Sequence, residues 1–143
     1  MTHKSILLID DNENDILLAQ TAFARGTVRP TLLVMQDGQE ALDYLLQIGK
    51  YASGTELPGC VLLDLNMPRI NGFDVIAALR ANPRTQLLPI VMLTSSMEPR
   101  DIVQCYHLGA NSYVRKPVDF DRFVHLAEQI SVYWLNMNEL PPG

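Results

Sequence analysis

A chain of 143 residues, 48% hydrophobic and 19% charged, has room for one domain with its own core and too little for two ordinary ones. Sixteen acidic against eleven basic residues give a net charge of −5, which argues against a surface built for nucleic-acid phosphates. Two distant cysteines without a CxxC pair, no apolar run near the ~20 residues of a membrane span, and no signal-peptide shape at the start point to a mildly acidic, soluble, cytoplasmic domain.

Residues 6–9 are an unbroken apolar run, as in a strand buried on both faces, and Asp10 and Asp11 follow it directly. Asn12 or Asn14 can cap the next helix. Its Ile16, Ala19 and Phe23 recur at offsets 0, 3 and 7, and Gly26 suits its C-terminal cap. Residues 31–35 form a second strand, followed by an Asp37-Gly38 turn. Ala41, Tyr44, Leu45 and Ile48 predict a helix ended by Gly49. Residues 49–59, with three glycines and Pro58, predict an exposed loop.

Residues 60–63 form a third strand closed by Asp64, and Met67-Pro68 and Asn71-Gly72 signal turns. A helix over 73–81 places Phe73, Ile76 and Ala77 on one face and stops at Asn82-Pro83. Residues 89–93 form a fourth strand with Thr94, Ser95 and Ser96 at its end. Ile102, Cys105 and Tyr106 mark a helix that ends at Gly109. Residues 112–114 form a short fifth strand before Arg115, Lys116 and Pro117. The last helix begins near Asp119 and turns Phe120, Phe123, Ala127 and Ile130 inward, and the tail from Tyr133 to Pro142 is unusually apolar for a chain end.

Five strands alternating with five helices imply βαβ crossovers and a parallel sheet covered on both faces. Ligands of such sheets bind outside the carboxyl ends of the strands. Strand one ends in Asp10-Asp11, strand three in Asp64 and strand four in Thr94, and strand five leads to Lys116. A parallel sheet therefore gathers three carboxylates, a hydroxyl and an ammonium at one edge. Two carboxylates about 4 Å apart repel by roughly 4 kcal/mol at an effective dielectric near 20. Either one of them takes a proton or a cation sits among them. Oxygen-only ligands favour a hard divalent ion, Mg²⁺ or Mn²⁺, over zinc. Carboxylate-held metal beside a lysine and a threonine suits phosphoryl chemistry. Asp64, alone at the end of the central apolar run, is the candidate nucleophile for an aspartyl phosphate, and Asp10-Asp11 are better placed to hold metal.

These residues match a family. Ile9-Asp10-Asp11-Asn12, Leu63-Asp64-Leu65-Asn66-Met67-Pro68 with Asn71-Gly72, Leu93-Thr94-Ser95, and Tyr113-Val114-Arg115-Lys116-Pro117 stand in the order and at the spacing that resemble the receiver domain of two-component response regulators. The resemblance spans about residues 4–130, with 131–143 as an apolar tail of a single 1–143 receiver domain. It implies a flavodoxin-like fold of strand order 2-1-3-4-5. It implies that Asp64 accepts a phosphoryl group from a phosphohistidine on a sensor histidine kinase. Asp10, Asp11 and Asp64 would bind Mg²⁺ with the backbone carbonyl of Asn66, and Lys116 would pair with the phosphoryl group. Thr94 and Tyr113 match the family's switch pair, and Asn66 and Ser96 stand where phosphoryl lifetime is modulated.

The chain stops about where a receiver domain stops, which implies a regulator acting by protein contact, without a DNA-binding output domain. It would be no enzyme beyond its own phosphorylation and dephosphorylation. The loop at 49–59, the segment 82–89 and Tyr133-Trp134-Leu135-Asn136 resemble the small regulators that partner bacterial and cyanobacterial phytochrome kinases. That resemblance implies a bacteriophytochrome-type kinase partner. It also implies a homodimer through the face of the fourth helix, fifth strand and fifth helix, or through the tail at Tyr133, Trp134 and Leu135.

An Mg²⁺-dependent phosphatase would usually carry a second acid two residues after the nucleophile, where Asn66 stands. A nucleotide- or flavin-binding protein would carry a Gly-rich loop after strand one, where acids stand instead. A receiver-like adaptor that binds partners independently of phosphorylation stays open. Cys60 and Cys105 read as small buried hydrophobes, and His3, His107 and His125 are scattered.

Overall fold

Five short apolar runs, polar only at their ends, become the strands of one sheet. The computed structural model describes residues 5–142. The expected domain start at residue 4, His3 and Gly143 of the tail lie outside the described residues. The strands are β1 (Ser5–Ile9), β2 (Thr31–Met35), β3 (Cys60–Leu63), β4 (Ile90–Thr94) and β5 (Ser112–Arg115). They form one parallel sheet of order β2-β1-β3-β4-β5, the doubly wound, flavodoxin-like order expected from the sequence. β1, β3 and β4 are central and almost wholly buried, which is why they read as continuous apolar runs rather than alternating ones.

Helices α1 (Glu13–Phe23) and α5 (Phe120–Ser131) cover one face of the sheet, over Ile6, Leu8, Leu62, Val91 and Leu93. Helices α2 (Gly38–Leu46), α3 (Gly72–Arg80) and α4 (Pro99–Leu108) cover the other, over Leu7, Ile9, Val61, Leu63 and Met92. Alternate residues of each central strand serve the two cores, as the pleat requires.

Several local expectations are corrected. Helix α1 ends through Ala24 in ordinary helical geometry, so Gly26 is not its cap; Gly26 instead lies against the Glu128 carboxylate, which an added Cβ would displace. Helix α2 stops at Leu46 because Gln47 takes the left-handed conformation (φ 58°), leaving Ile48 past the helix and 49% exposed. The stretch after it is only partly an exposed loop. Gly49–Tyr51 make a 3-10 turn, Thr55 donates its hydroxyl to the Tyr44 carbonyl at 2.8 Å, and Pro58 and Gly59 are buried against the sheet.

On α3 the buried stripe is Gly72, Val75, Ile76 and Leu79, with Phe73 half-buried and Ala77 exposed. The Asn71–Asp74 capping box sets the helix start one residue earlier than periodicity alone suggests, and the stripe falls at offsets 0, 3, 4 and 7 from Gly72 rather than from Phe73. Helix α4 buries Cys105 but exposes Tyr106, and Ile102 is half-buried. Phe120 is half-buried beneath the Arg25 guanidinium rather than inside the core.

After α5 the chain continues as a wider π-helical turn, Val132–Met137. Leu135 points into the α1/α5 core and Trp134 packs half-buried against it, so Leu135 is not a surface residue of this domain.

Gly72 shows how backbone proximity shapes the carboxyl edge of the sheet. Its N–H donates to the Leu65 carbonyl at 2.8 Å. A Cβ there would lie 2.7 Å from the Asp64 carbonyl oxygen and 2.8 Å from Leu65 Cα, both backbone atoms with little room to yield. Gly72→Ala is therefore expected to cost about 1–3 kcal/mol in urea denaturation. A variant as stable as the parent would show that α3 does not press on the Asp64 loop.

Candidate functional site

Strand direction and register bring the expected residues together. Because the sheet is parallel, the carboxyl ends of β1, β3, β4 and β5 share one edge, on either side of the point where the strand order reverses. The ladder continues one step past the strand ends. Asp10 N–H donates to the Met35 carbonyl at 3.1 Å, Asp64 N–H to Ile9 at 3.0 Å, and Lys116 N–H to Thr94 at 2.9 Å. The backbones of Asp10, Asp64 and Lys116 are thus held by neighbouring strands, and their side chains rise from rigid structure rather than from a free loop.

Asp10, Asp64, Thr94 and Lys116 are all buried, and Asp11 is exposed at the rim. Asp10, Asp11 and Asp64 each offer a carboxylate oxygen, and these atoms lie within 4.8 Å of one another. The donor set is all oxygen, anionic and open on one side, which fits a hard divalent cation. Asn66 stands exposed two residues beyond Asp64.

The Lys116 ammonium closes the pocket from the β5 side. It lies 2.9 Å from Asp10 Oδ2, 3.3 Å from Asp64 Oδ2 and 2.8 Å from Asp15 Oδ2. Burial alone would depress its pKa, but the hydrogen bonds to Asp10 and Asp15 and the charges of Asp64 and Asp10 outweigh it and leave the ammonium more firmly protonated than a free lysine. Asp10 moves in the unfavourable direction. Burial raises its carboxyl pKa, and the bonds from Lys116 and from the Asn12 N–H, at 2.9 Å, offset this only in part.

Thr94 is fully buried, and its Oγ1 accepts from the Ser96 N–H at 3.4 Å. Tyr113 lies half-buried against the α3/α4 core and donates its hydroxyl to the Ser96 carbonyl at 2.8 Å. The Ser96 hydroxyl donates to Asp101 Oδ2 at 2.7 Å, in the first turn of α4. Thr94, Ser96 and Tyr113 therefore form one connected group that reaches from the acidic pocket to α4.

Asp15 is the site residue that sequence reasoning missed. As an acid three positions after a capping asparagine, it reads as an ordinary helix-start residue. Only the position of Lys116 reveals its other use.

The remaining candidates lie elsewhere. His107 and His125 are exposed on α4 and α5. Burial pushes the Cys60 thiol up to about 12, and burial with the nearby Asp101 charge pushes Cys105 up to about 11, so both stay protonated at neutral pH. An apolar groove of about 640 Å³, lined by Leu57, Pro83, Leu87, Leu140 and Pro141 among others, sits at the amino-terminal end of β3 and β4, away from the carboxylates. Among the described residues no helix is long and apolar enough to cross a membrane.

Comparison with known proteins agrees with this geometry. The response regulator receiver domain family matches residues 6–128. The probable methanogenesis regulatory protein FilR2 of Methanothrix harundinacea is 36% identical over 137 residues, covering 95% of this chain and 86% of that protein. Response regulator Rcp1 of Synechocystis sp. is 33% identical over 138 residues, covering 96% and 93%. The crystal structure of its Mn²⁺-bound form superposes with a TM-score of 0.85 at 32% identity, over 96% of this chain and 99% of that one. The phosphorylated cyanobacterial phytochrome response regulator RcpA superposes with a TM-score of 0.89 at 36% identity, over 98% and 99%.

The raised pKa of Asp10 has a thermodynamic consequence. Ionised Asp10 is disfavoured in the folded state, so the penalty is present above its folded pKa and disappears as pH falls through that value toward 3.8. Asp10→Asn should therefore raise the thermal midpoint of metal-free protein at pH 7 by a few degrees, about 1 kcal/mol moving it by roughly 2–4 °C at this size. The advantage should vanish below pH 4 and reverse in millimolar Mg²⁺, which stabilises only a chain that binds it. A variant that unfolds earlier than the parent at pH 7 without metal contradicts this account.

Proposed function

This chain belongs to the response regulator receiver domain family, and from that premise we propose that it accepts a phosphoryl group on Asp64 from a sensor histidine kinase and signals by protein contact. The observation that carries the reading is the placement of Asp64. It is a buried carboxylate within ligand distance of Asp10 and Asp11 and 3.3 Å from the Lys116 ammonium.

In the proposed step an Asp64 carboxylate oxygen attacks phosphorus. The new O–P bond forms as the P–N bond of the phosphohistidine breaks, and the electron pair leaves on the imidazole nitrogen, which takes a proton from solvent. With acetyl phosphate the bond that breaks is P–O and the leaving group is acetate. Asp10, Asp11 and Asp64, with the main-chain carbonyl of Asn66, would hold a divalent cation, Mg²⁺ or Mn²⁺, that neutralises charge on the transferring oxygens. Lys116 stabilises the same charge from the opposite side, and the Thr94 hydroxyl donates to a phosphoryl oxygen. Movement of Thr94 toward that oxygen disturbs its link to Ser96, and through Ser96 the settings of Tyr113 and of Asp101 on α4. Asn66 and Ser96, at the rim, modulate how long the phosphoryl group survives.

Likeness to RcpA and Rcp1 over nearly the whole chain supports a phytochrome-type kinase as donor. Apolar side chains left exposed on α4 and the tail, Val103, Tyr106, Tyr133 and Met137, support a homodimer through one of those faces.

Incubation with acetyl phosphate and Mg²⁺ should add one phosphoryl mass to the protein. Asp64→Asn should lower that labelling at least a hundredfold, and unchanged labelling of the variant would remove Asp64 from the role. In light scattering at high concentration the protein should exceed monomer mass, and Val103→Glu with Tyr133→Glu should return it to monomer. A strict monomer before substitution contradicts the dimer.

A further inference from the structure

Lys116 makes an unusual number of commitments. An ammonium has three N–H donors, and here three carboxylates stand around it, from Asp10, Asp15 and Asp64, at 2.9, 2.8 and 3.3 Å. Asp10 and Asp64 also belong to the group that can hold a metal ion; Asp15 does not. Asp15 is therefore the one partner of Lys116 with no second task in the pocket.

The local chain explains how Asp15 comes to face Lys116. Asn12 caps α1 by accepting from the Asp15 N–H at 3.0 Å. In a complete capping box the acid at this position reaches back to the N–H of the capping residue, as Asp74 does to Asn71 at the start of α3. At α1 that N–H is already taken, because Asn12 N–H donates to Asp10 Oδ1 at 2.9 Å. The Asp15 carboxylate, left without its usual local partner, turns to the ammonium.

We propose that Asp15 is a positioning residue that holds Lys116 in the resting protein and competes with the phosphoryl group for it. The inference rests on the phosphoacceptor reading of Asp64. A phosphoryl group on Asp64 needs at least one Lys116 donor. Phosphorylation frees the donor now on Asp64, but the ammonium must shift outward to follow the phosphoryl oxygens; with Asp10 fixed by its place in the cation site, Asp15 is the contact that resists that shift. Its negative charge also opposes the arriving phosphoryl oxygens, with partial screening because the side chain is about a third exposed (31%). Asp15 thus lowers the occupancy of the phosphorylated state and keeps Lys116 aimed into the pocket when phosphate is absent.

The test is calorimetric titration of beryllofluoride, a phosphoryl mimic, into the full chain with saturating Mg²⁺, beside titration of Mg²⁺ alone. Asp15→Asn should bind beryllofluoride about three- to tenfold tighter than the parent, a gain of roughly 0.6–1.4 kcal/mol. Its Mg²⁺ affinity should stay within about twofold, since Asp15 is outside the cation group. Asp15→Glu should bind the mimic more weakly than Asp15→Asn, because it restores the competing charge. Equal or weaker binding of beryllofluoride by Asp15→Asn, with a parent that binds it, overturns the role of Asp15 alone. A parent that binds no beryllofluoride overturns the phosphoacceptor reading, and this inference with it.

Discussion

Among the described residues, four carboxylates and one ammonium meet in the pocket at the carboxyl edge of this sheet. Asp10, Asp15 and Asp64 contact Lys116 directly, and Asp11 joins Asp10 and Asp64 at the rim. One positive charge does not neutralise four negative ones, and burial makes the imbalance more costly than it would be in water. Burial is what chiefly raises the Asp10 carboxyl, while the surrounding carboxylates hold the proton on Lys116 against burial. A pocket of this kind is unfavourable when it holds only its own side chains. A divalent cation bound there would relieve it and would in turn favour an incoming anion.

The rest of the fold keeps these groups from moving apart. The backbone amides of Asp10, Asp64 and Lys116 are bonded to neighbouring strands, and the side chains below them are packed in two cores that use alternate residues of β1, β3 and β4. Gly72 lets the start of α3 press against the backbone of the Asp64 loop. With relaxation blocked on these sides, a change of charge at Asp64 would, on the proposed reading, pass to the hydrogen-bonded group that leads out of the pocket. That is the Thr94–Ser96–Tyr113 group and the lightly buried helix α4, of which only Cys105 is buried.

Much of this was legible in the residues, and the reasons are specific. Central strands buried on both faces have no polar positions to confuse the pattern, so residues 60–63 and 6–9 were plain, and the acids that follow them were plain as well. Strand order followed from the family resemblance and is the order observed. Helix faces were read less well. On α3 a stripe through Phe73, Ile76 and Ala77 fits helical spacing as well as the observed Gly72, Val75, Ile76 and Leu79, and periodicity over nine residues does not define phase to one position. The end of α2 depends on Gln47 adopting a left-handed conformation, for which its side chain carries no signal. Asp15 was missed because its partner is a hundred residues away, and the local rule for an acid in a first turn already accounted for it. Leu135 was grouped with its exposed neighbour Tyr133, whereas the π-helical turn directs it inward.

The central claim is that the acidic edge is a paired site for a divalent cation and a phosphoryl group. A crystal structure grown with Mn²⁺ and beryllofluoride tests it directly. The account predicts an anomalous manganese peak among Asp10, Asp11 and Asp64, beryllium bonded to an Asp64 carboxylate oxygen, and the Lys116 ammonium against a fluorine. Manganese bound elsewhere, or beryllofluoride absent from Asp64 in crystals that contain the metal at this edge, would contradict it.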